Sequence, residues 1–272
     1  MTPRSGIFRL EREVIAAGWR NKGLWLLQVG GNAVLAGIAY AWLWIPDRTP
    51  WHLVESALLG LGLVAAVFWL HGATFARFLS LHREGREGLG AALRRAGTHI
   101  PALTCWAVVS GLTLGVITGV GTCVPGASAR LASAATLALR RPVSPMLIGG
   151  LGEAFIHAAV WFFAPAFLLP LALQSAEHGL RGMSWKGLRT AWSIFRRGRY
   201  WLDFLLLLVL GSYVPTALLR WVPEAESLAS QAASLALRLL LAYATAVTAW
   251  IFLASLLGRL SVEARPGAET TG

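Results

Sequence analysis

Charged residues are scarce in this chain of 272 residues, and acidic ones are the scarcer kind. Asp, Glu, Lys and Arg make up 14% of the chain and hydrophobic residues 56%, and the mean hydropathy is +0.60. Soluble domains carry about 25% charged residues. The composition therefore excludes an ordinary soluble domain and predicts a chain that folds in a lipid bilayer.

Cysteine is nearly absent as well. Cys105 and Cys123 would lie about 27 Å apart on one helix, whereas a disulfide requires Cα atoms within about 7 Å. No metal-ligand spacing is present, and neither is a nucleophile elbow, a zincin motif, a Walker loop or a dinucleotide fingerprint. We therefore expect no disulfide, no metal, no cofactor and no catalytic residue, and we predict that the protein is not an enzyme.

Long apolar runs are what the chain has instead. A hydrocarbon core about 30 Å thick requires roughly 20 mostly apolar residues per helix. Six stretches meet that length: residues 24–45, 51–75, 100–124, 146–175, 201–222 and 228–257. The first is too long for a cleaved signal peptide and is expected to remain. We predict an all-α fold, a polytopic transmembrane bundle of about six spans in one integral membrane domain over residues 1–272.

Basic residues alternate with pairs of these spans. Of the 24 Lys and Arg residues, 18 lie on one predicted side, five lie on the other, and Arg238 lies inside the sixth span. The 18 are Arg4, Arg9, Arg12, Arg20, Lys22, Arg77, Arg83, Arg86, Arg94, Arg95, Arg181, Lys186, Arg189, Arg196, Arg197, Arg199, Arg259 and Arg265. Because short loops rich in Lys and Arg stay in the cytoplasm, we predict an inner-membrane protein with both termini cytoplasmic.

The basic segments organise the chain. We predict a cytoplasmic amphipathic arm over residues 1–23, cytoplasmic basic helices over 77–99 and 177–200, and a disordered tail over 258–272. These segments flank span pairs over residues 24–75, 100–175 and 201–257. Residues 127–145 interrupt the second pair, and we interpret them as an external surface or re-entrant segment. The alternative is that they begin a split fourth span that is broken at Gly149, Gly150 and Gly152.

The third basic helix has the pattern of a lipid-binding segment. Aromatic residues recur at helical spacing from Trp185 to Phe195, and five cations accompany them: Lys186, Arg189, Arg196, Arg197 and Arg199. Such a helix lies in the membrane interface with its cations near anionic headgroups. The cations either serve topology and anchoring alone, or contact a specific anionic lipid or acidic protein partner. Topology already explains the net charge of +11, so we expect no nucleic acid.

Ionisable residues within spans are costly to bury and are therefore candidates for function. Glu55, Glu153, His157 and Arg238 all fall in the outer half of the predicted membrane and could converge on one buried polar cluster. In the structural interpretation, Arg238 neutralises Glu55 or Glu153 and holds helices together. In the functional interpretation, the cluster is a protonatable or substrate site of a small transporter, or a pocket for a lipid headgroup.

Three glycines mark one face of the third span. Gly111, Gly115 and Gly119 recur every four residues, which lets another helix approach closely. We predict helix packing at this face, either inside the monomer or between two copies.

One unit of the chain carries a family resemblance. Residues 180–210, with a weaker counterpart at 85–110, join a basic helix to a following span. The unit resembles that of small six-span bacterial inner-membrane proteins, and a similar unit occurs in the membrane domain attached to some glycerophosphodiester phosphodiesterases. The resemblance implies a helical bundle. The spans leave no room for a phosphodiesterase barrel, so that activity and its residues do not carry over.

Together these features predict a non-catalytic membrane protein. It would act as a subunit of a membrane complex or as a lipid-associated module, with membrane lipids and a protein partner as its contacts. The alternative is a small transporter or permease that uses the polar cluster.

Overall fold

The chain folds as a succession of helices. The computed structural model of the protein describes residues 9–46, 48–83, 88–223 and 227–264, and every regular element in those ranges is helical. The α helices are α1 (Arg9–Arg20), α2 (Lys22–Trp42), α3 (Pro50–Arg83), α4 (Leu89–Thr98), α5 (Ile100–Gly121), α6 (Val124–Leu139), α7 (Pro145–Ala158), α8 (Ala164–His178), α9 (Trp185–Phe195), α10 (Gly198–Leu208), α11 (Val214–Arg220) and α12 (Leu228–Glu263). The predicted all-α fold is confirmed.

Six helical stretches of the described chain are long and apolar enough to cross a membrane. They are Lys22–Trp42, Pro50–Arg83, Ile100–Gly121, Pro145–Met183, Gly198–Arg220 and Leu228–Glu263. The predicted number of spans is confirmed, but the second, fourth and sixth stretches extend six to eight residues beyond their predicted ends. The 34 residues of α3 and the 36 of α12 reach about 51 Å and about 54 Å. Both exceed the roughly 30 Å of a hydrocarbon core.

Short helices precede three of the spans. Helix α1 comes before α2, α4 before α5, and α9 before α10. Part of the predicted organisation lies outside the described residues, namely the arm 1–23 up to residue 8, the tail 258–272 beyond Ala264, and the cations Arg4, Arg86 and Arg265. Helices α1, α4 and α9 fall within the segments predicted over 1–23, 77–99 and 177–200 but are shorter than them, and the cytoplasmic and amphipathic character of those segments stays a prediction.

The chain divides into two compact units. The first contains the described residues up to Thr104 and from Pro170 onward, and the second is Cys105–Leu169. The core of the first unit lies in the C-terminal halves of α3 and α12, where Phe78 and Leu257 are fully buried. Leu58 and Leu240, in the N-terminal halves, are 65% and 63% exposed. In a bilayer such surfaces face acyl chains, so the packing that defines this unit is concentrated at one end of its long helices.

In the second unit, α6 runs back along α7. A Cβ on Gly152 would lie 2.7 Å from Val124, and one on Gly149 would lie 3.5 Å from the hydroxyl of Ser128. Helix α6 thus accounts for most of the segment predicted as surface or re-entrant over residues 127–145. Helix α7 continues through its glycines without interruption, so the alternative of a span broken at Gly149, Gly150 and Gly152 is wrong. The external location of the segment stays a prediction.

Two π-helical turns interrupt the long helices, each two residues before a proline. Ala159–Phe163 precedes Pro165, and Val209–Tyr213 precedes Pro215. A proline lacks the N–H for its helical hydrogen bond, and its ring clashes with the carbonyl four residues back. The wider π turn accommodates both effects while the helix continues.

Candidate functional site: a basic cavity at the start of α9

The first unit has a half-open cavity of about 1320 Å³ where α8 ends and α9 begins. Its wall is formed by the end of α8, the 3-10 turn Gly179–Met183, one side of α9 and the C-terminal end of α12. Its charged lining residues are Glu177, Arg181, Lys186, Arg189, Arg197 and Glu263. We refer to this space as the basic cavity.

Glycines make the chain reversal behind this cavity possible. Gly179 adopts φ of 60°, a left-handed conformation that favours glycine. A Cβ on Gly187 would lie 1.9 Å from the carbonyl oxygen of Gly182, so only glycine allows α9 to start this close to the preceding turn. The reversal brings the cations of α9 back over the end of α8.

Three of the lining cations have no carboxylate partner within the described part of the chain. Arg181, Lys186 and Arg189 are exposed, and none of them forms a salt bridge with any residue in the described ranges. Arg197 differs, since its Nη1 lies 2.8 Å from Glu263. The cavity is therefore lined by three cations free to attract an anion and one that is already neutralised.

Both carboxylates in the lining are also occupied. Glu177, whose side chain is 3% exposed, forms a salt bridge with Arg83. Glu263 accepts a hydrogen bond from Arg197, and it forms an ion pair with Arg259, whose Nε lies 3.1 Å away. Because the acids are already paired with guanidinium groups, the unpaired cations set the sign of the potential in the cavity. The cavity has the electrostatics of an anion site.

Two polar side chains fix the inner wall. Gln174 is 2% exposed and donates from Nε2 to the hydroxyl of Ser261 at 2.9 Å, which ties α8 to α12. His99 lies just before α5 and donates from Nδ1 to the carbonyl of Ala176 at 2.8 Å. These bonds hold the wall of the cavity in place.

Helix α1 braces the same end of the unit. Nε of Arg199 donates to Glu11 at 3.0 Å, and this hydrogen bond lowers the pKa of Glu11 below its usual range. Glu13 lies 3.3 Å from Arg259, and the hydroxyl of Ser255 donates to the carbonyl of Val14 at 3.1 Å. Arg199 and Arg259 therefore connect helices of the unit to one another.

The five cations predicted to contact a lipid or partner separate into different settings. Lys186, Arg189 and Arg197 line the cavity, whereas Arg196 is exposed outside it and Arg199 binds Glu11. Their contact with a lipid or partner stays a prediction.

The predicted polar cluster involves both units. Glu55, Glu153 and His157 are exposed on the protein surface, and His157 donates from Nδ1 to the carbonyl of Glu153 at 2.8 Å. Arg238 is 7% exposed and donates to the carbonyls of Ser234, Leu219 and Trp221. It thus caps the end of α11, and within the described residues it forms no salt bridge with Glu55. The convergence of the four residues stays a prediction.

The predicted packing glycines lie on an open helix face. A Cβ on Gly111, Gly115 or Gly119 would meet no atom within 4 Å. Their role in helix packing stays a prediction. No group of three His, Cys, Asp or Glu residues that could hold a metal is found in the described parts of the chain.

Several residues of the basic cavity were not identified from the sequence as site residues. They are His99, Gln174, Glu177, His178, Arg181 and Glu263. One signal could have indicated them: Glu177 and His178 end a long apolar run and are followed by glycines at 179, 182 and 187. Polar residues at the end of a span, beside a glycine-rich reversal of the chain, are typical of a binding site.

Comparisons with known proteins identify no relative, so the functional interpretation rests on the geometry of the site. The chain matches no protein-family model, no curated protein and no solved structure.

Proposed function

We propose that the protein is a non-catalytic multi-pass protein of a bacterial inner membrane that binds the headgroup of an anionic lipid in its basic cavity. The observation that carries the proposal is the set of three unpaired cations, Arg181, Lys186 and Arg189, in a cavity whose two carboxylates are already paired. An anion with one or two negative charges would offset part of the positive charge of those three residues. We also propose that the protein is of the same kind as the small six-span bacterial inner-membrane proteins that its sequence resembles.

The charge distribution along the chain supports a cytoplasmic position for the cavity. Its cations belong to the basic segment between the fourth and fifth spans, and short basic loops stay in the cytoplasm during insertion. The cytoplasmic leaflet is also the one that presents anionic lipids, which attract each nearby Lys or Arg by about 1 kcal/mol. Topology and ligand chemistry therefore favour the same leaflet.

The side chains of α9 support a position in the membrane interface. Its buried side consists of the small or apolar residues Gly187, Ala191 and Ile194. Trp185 and Trp192, in contrast, are 77% and 49% exposed, and indole rings prefer the headgroup boundary. The exposed tryptophans would anchor α9 at the depth of lipid headgroups, beside the cavity cations.

The lining residues favour binding over catalysis. A general acid or base must be able to exchange a proton with a ligand. Glu177 and Glu263 are each held by guanidinium groups, and the ring of His178, whose Nε2 lies 3.6 Å from Glu177, faces a carboxylate that Arg83 already holds. Such a site suits a protein that binds a ligand, either alone or as a subunit of a membrane complex.

The test compares two variants of one helix. Native mass spectrometry would measure the lipid retained by the full chain after extraction from vesicles of mixed anionic and zwitterionic phospholipids. For the double variant Lys186→Gln and Arg189→Gln we expect the affinity for anionic lipid to fall about 30-fold, because two cations contribute about 2 kcal/mol. Arg196→Gln removes an exposed cation outside the cavity and should change retention less than twofold.

Two outcomes count against the proposal. Equal retention by the double variant and by Arg196→Gln would show that the cavity cations do not hold the lipid. Uptake of a solute into liposomes that contain only this protein would show a transporter instead.

A further inference from the structure

A second, smaller cavity adjoins the basic cavity. It is more open than the basic cavity and has a volume of about 410 Å³. It shares His99, His178 and Arg181 with the basic cavity. A ligand that is longer than a headgroup could therefore occupy both spaces by passing these three residues.

The second cavity differs from the first in chemistry. Beyond the shared residues, its wall comes from Thr98, Pro101, Ala102, Gly179 and Leu180, none of which is ionisable. Leu180 is 63% exposed, which leaves an apolar side chain available for contact. An anion site beside an apolar recess is complementary to a molecule with a charged end and an apolar end.

The position of the second cavity agrees with that chemistry. Pro101 and Ala102 belong to the first turn of α5, one of the helices long and apolar enough to cross a membrane. The apolar recess therefore lies where a span begins, while the cations lie on α9 and on the turn before it. In a membrane, the apolar end of a bound molecule would point toward the acyl chains.

We infer that the occupant of the two cavities is an intact anionic phospholipid, with its phosphate among Arg181, Lys186 and Arg189 and its glycerol and first acyl carbons against Leu180 and Pro101, both of which are exposed. The inference rests on the proposed function and narrows its ligand. A soluble phosphate compound would use the basic cavity alone. Arg181, which lines both cavities, marks the junction where the phosphate meets the glycerol.

The experiment compares two probes on the full chain in detergent micelles. One probe is diacyl phosphatidylglycerol and the other is soluble glycerol phosphate, which has the same anionic group without acyl chains. We expect phosphatidylglycerol to bind at least 100-fold more tightly. Excess glycerol phosphate is expected to displace it only weakly.

Variants of the second cavity test whether its apolar wall causes the difference in affinity between the two probes. Thr98→Trp would fill the second cavity and should weaken phosphatidylglycerol binding about tenfold, and Leu180→Ser should weaken it about fivefold by removing apolar contact. Neither should change glycerol phosphate binding more than twofold. Leu147→Ser is the matched control, because Leu147 is also 63% exposed and lies in the second unit.

The outcomes separate this inference from the proposed function. If glycerol phosphate binds as tightly as the diacyl lipid and the recess variants have no effect, the basic cavity binds the headgroup phosphate alone and the second cavity takes no part; the inference is then overturned while headgroup binding stands. If neither probe binds, both are overturned. Selective loss of the diacyl lipid in Thr98→Trp and Leu180→Ser, with normal thermal unfolding, supports the inference.

Discussion

Two groups of cations on one short basic segment have different environments. Lys186 and Arg189, on α9, line the basic cavity and have no carboxylate partner in the described chain, whereas Arg197 and Arg199 bind Glu263 and Glu11. A single topology signal thus contains cations that connect helices and cations that are available to a ligand. Charge density in the sequence does not distinguish these two groups of cations. What distinguishes them is whether each guanidinium or ammonium group is paired with a carboxylate.

The largest effect is expected where the cavity wall is built. Gly187→Ala places a Cβ 1.9 Å from the carbonyl oxygen of Gly182, and overpacking of a tight contact costs roughly 3 kcal/mol. We expect a clear fall in the thermal unfolding temperature in detergent together with loss of bound lipid. Gly198→Ala is the control, since a Cβ there meets no atom within 4 Å. Equal unfolding temperatures for the two variants would contradict the role of Gly187.

A smaller effect should follow when a paired cation is released. Glu263→Gln removes the carboxylate that neutralises Arg197 in the cavity, so Arg197 becomes available to an anion. One added cation contributes about 1 kcal/mol, and we expect anionic lipid retention to rise about fivefold in native mass spectrometry. Glu153→Gln, an exposed change in the second unit, serves as the control. Unchanged lipid retention in Glu263→Gln would contradict the claim that pairing with a carboxylate keeps a cation from binding the lipid.

The smallest effect concerns the brace between α1 and α10. The hydrogen bond from Arg199 holds the pKa of Glu11 below its ordinary value of 4.5, so this bond stabilises the folded state above that pH. The contribution is lost as the pH falls through the lowered pKa, when the carboxylate becomes protonated. Because the pair is partly exposed, Glu11→Gln should cost only about 0.5 kcal/mol at pH 7.

The pH dependence provides the check on that pair. Chemical unfolding in detergent should show a difference between wild type and Glu11→Gln at pH 7 that shrinks as the solution becomes more acidic than pH 4.5. A difference that stays constant, or grows on acidification, would mean that the Glu11 carboxylate is not the stabilising group.

Hydropathy and charge predicted the architecture well, for physical reasons. Bilayer thickness fixes the length of a span, so the six spans could be predicted from the apolar runs. The extensions of α3 and α12 could not, because their C-terminal halves are buried among other helices rather than in lipid.

The site was only half predictable. Lys186 and Arg189 stood out as cations on an aromatic helix, but the pairing of Arg199 depends on Glu11, which is 188 positions away in the chain. The cavity itself depends on the reversal at Gly179 and Gly187, a backbone feature with no charge or hydropathy signal. Long-range pairing and chain reversal are properties of the folded chain.

Photo-crosslinking tests the central claim most directly. An anionic phospholipid with a photoreactive headgroup would be incorporated into vesicles with the full chain, irradiated, and the labelled peptides mapped. The unpaired cations predict labels concentrated on residues 174–190, with a zwitterionic analogue labelling this region at least tenfold less. Equal labelling by the two lipids, or labels spread over all helices, would contradict a specific anionic lipid site in the basic cavity.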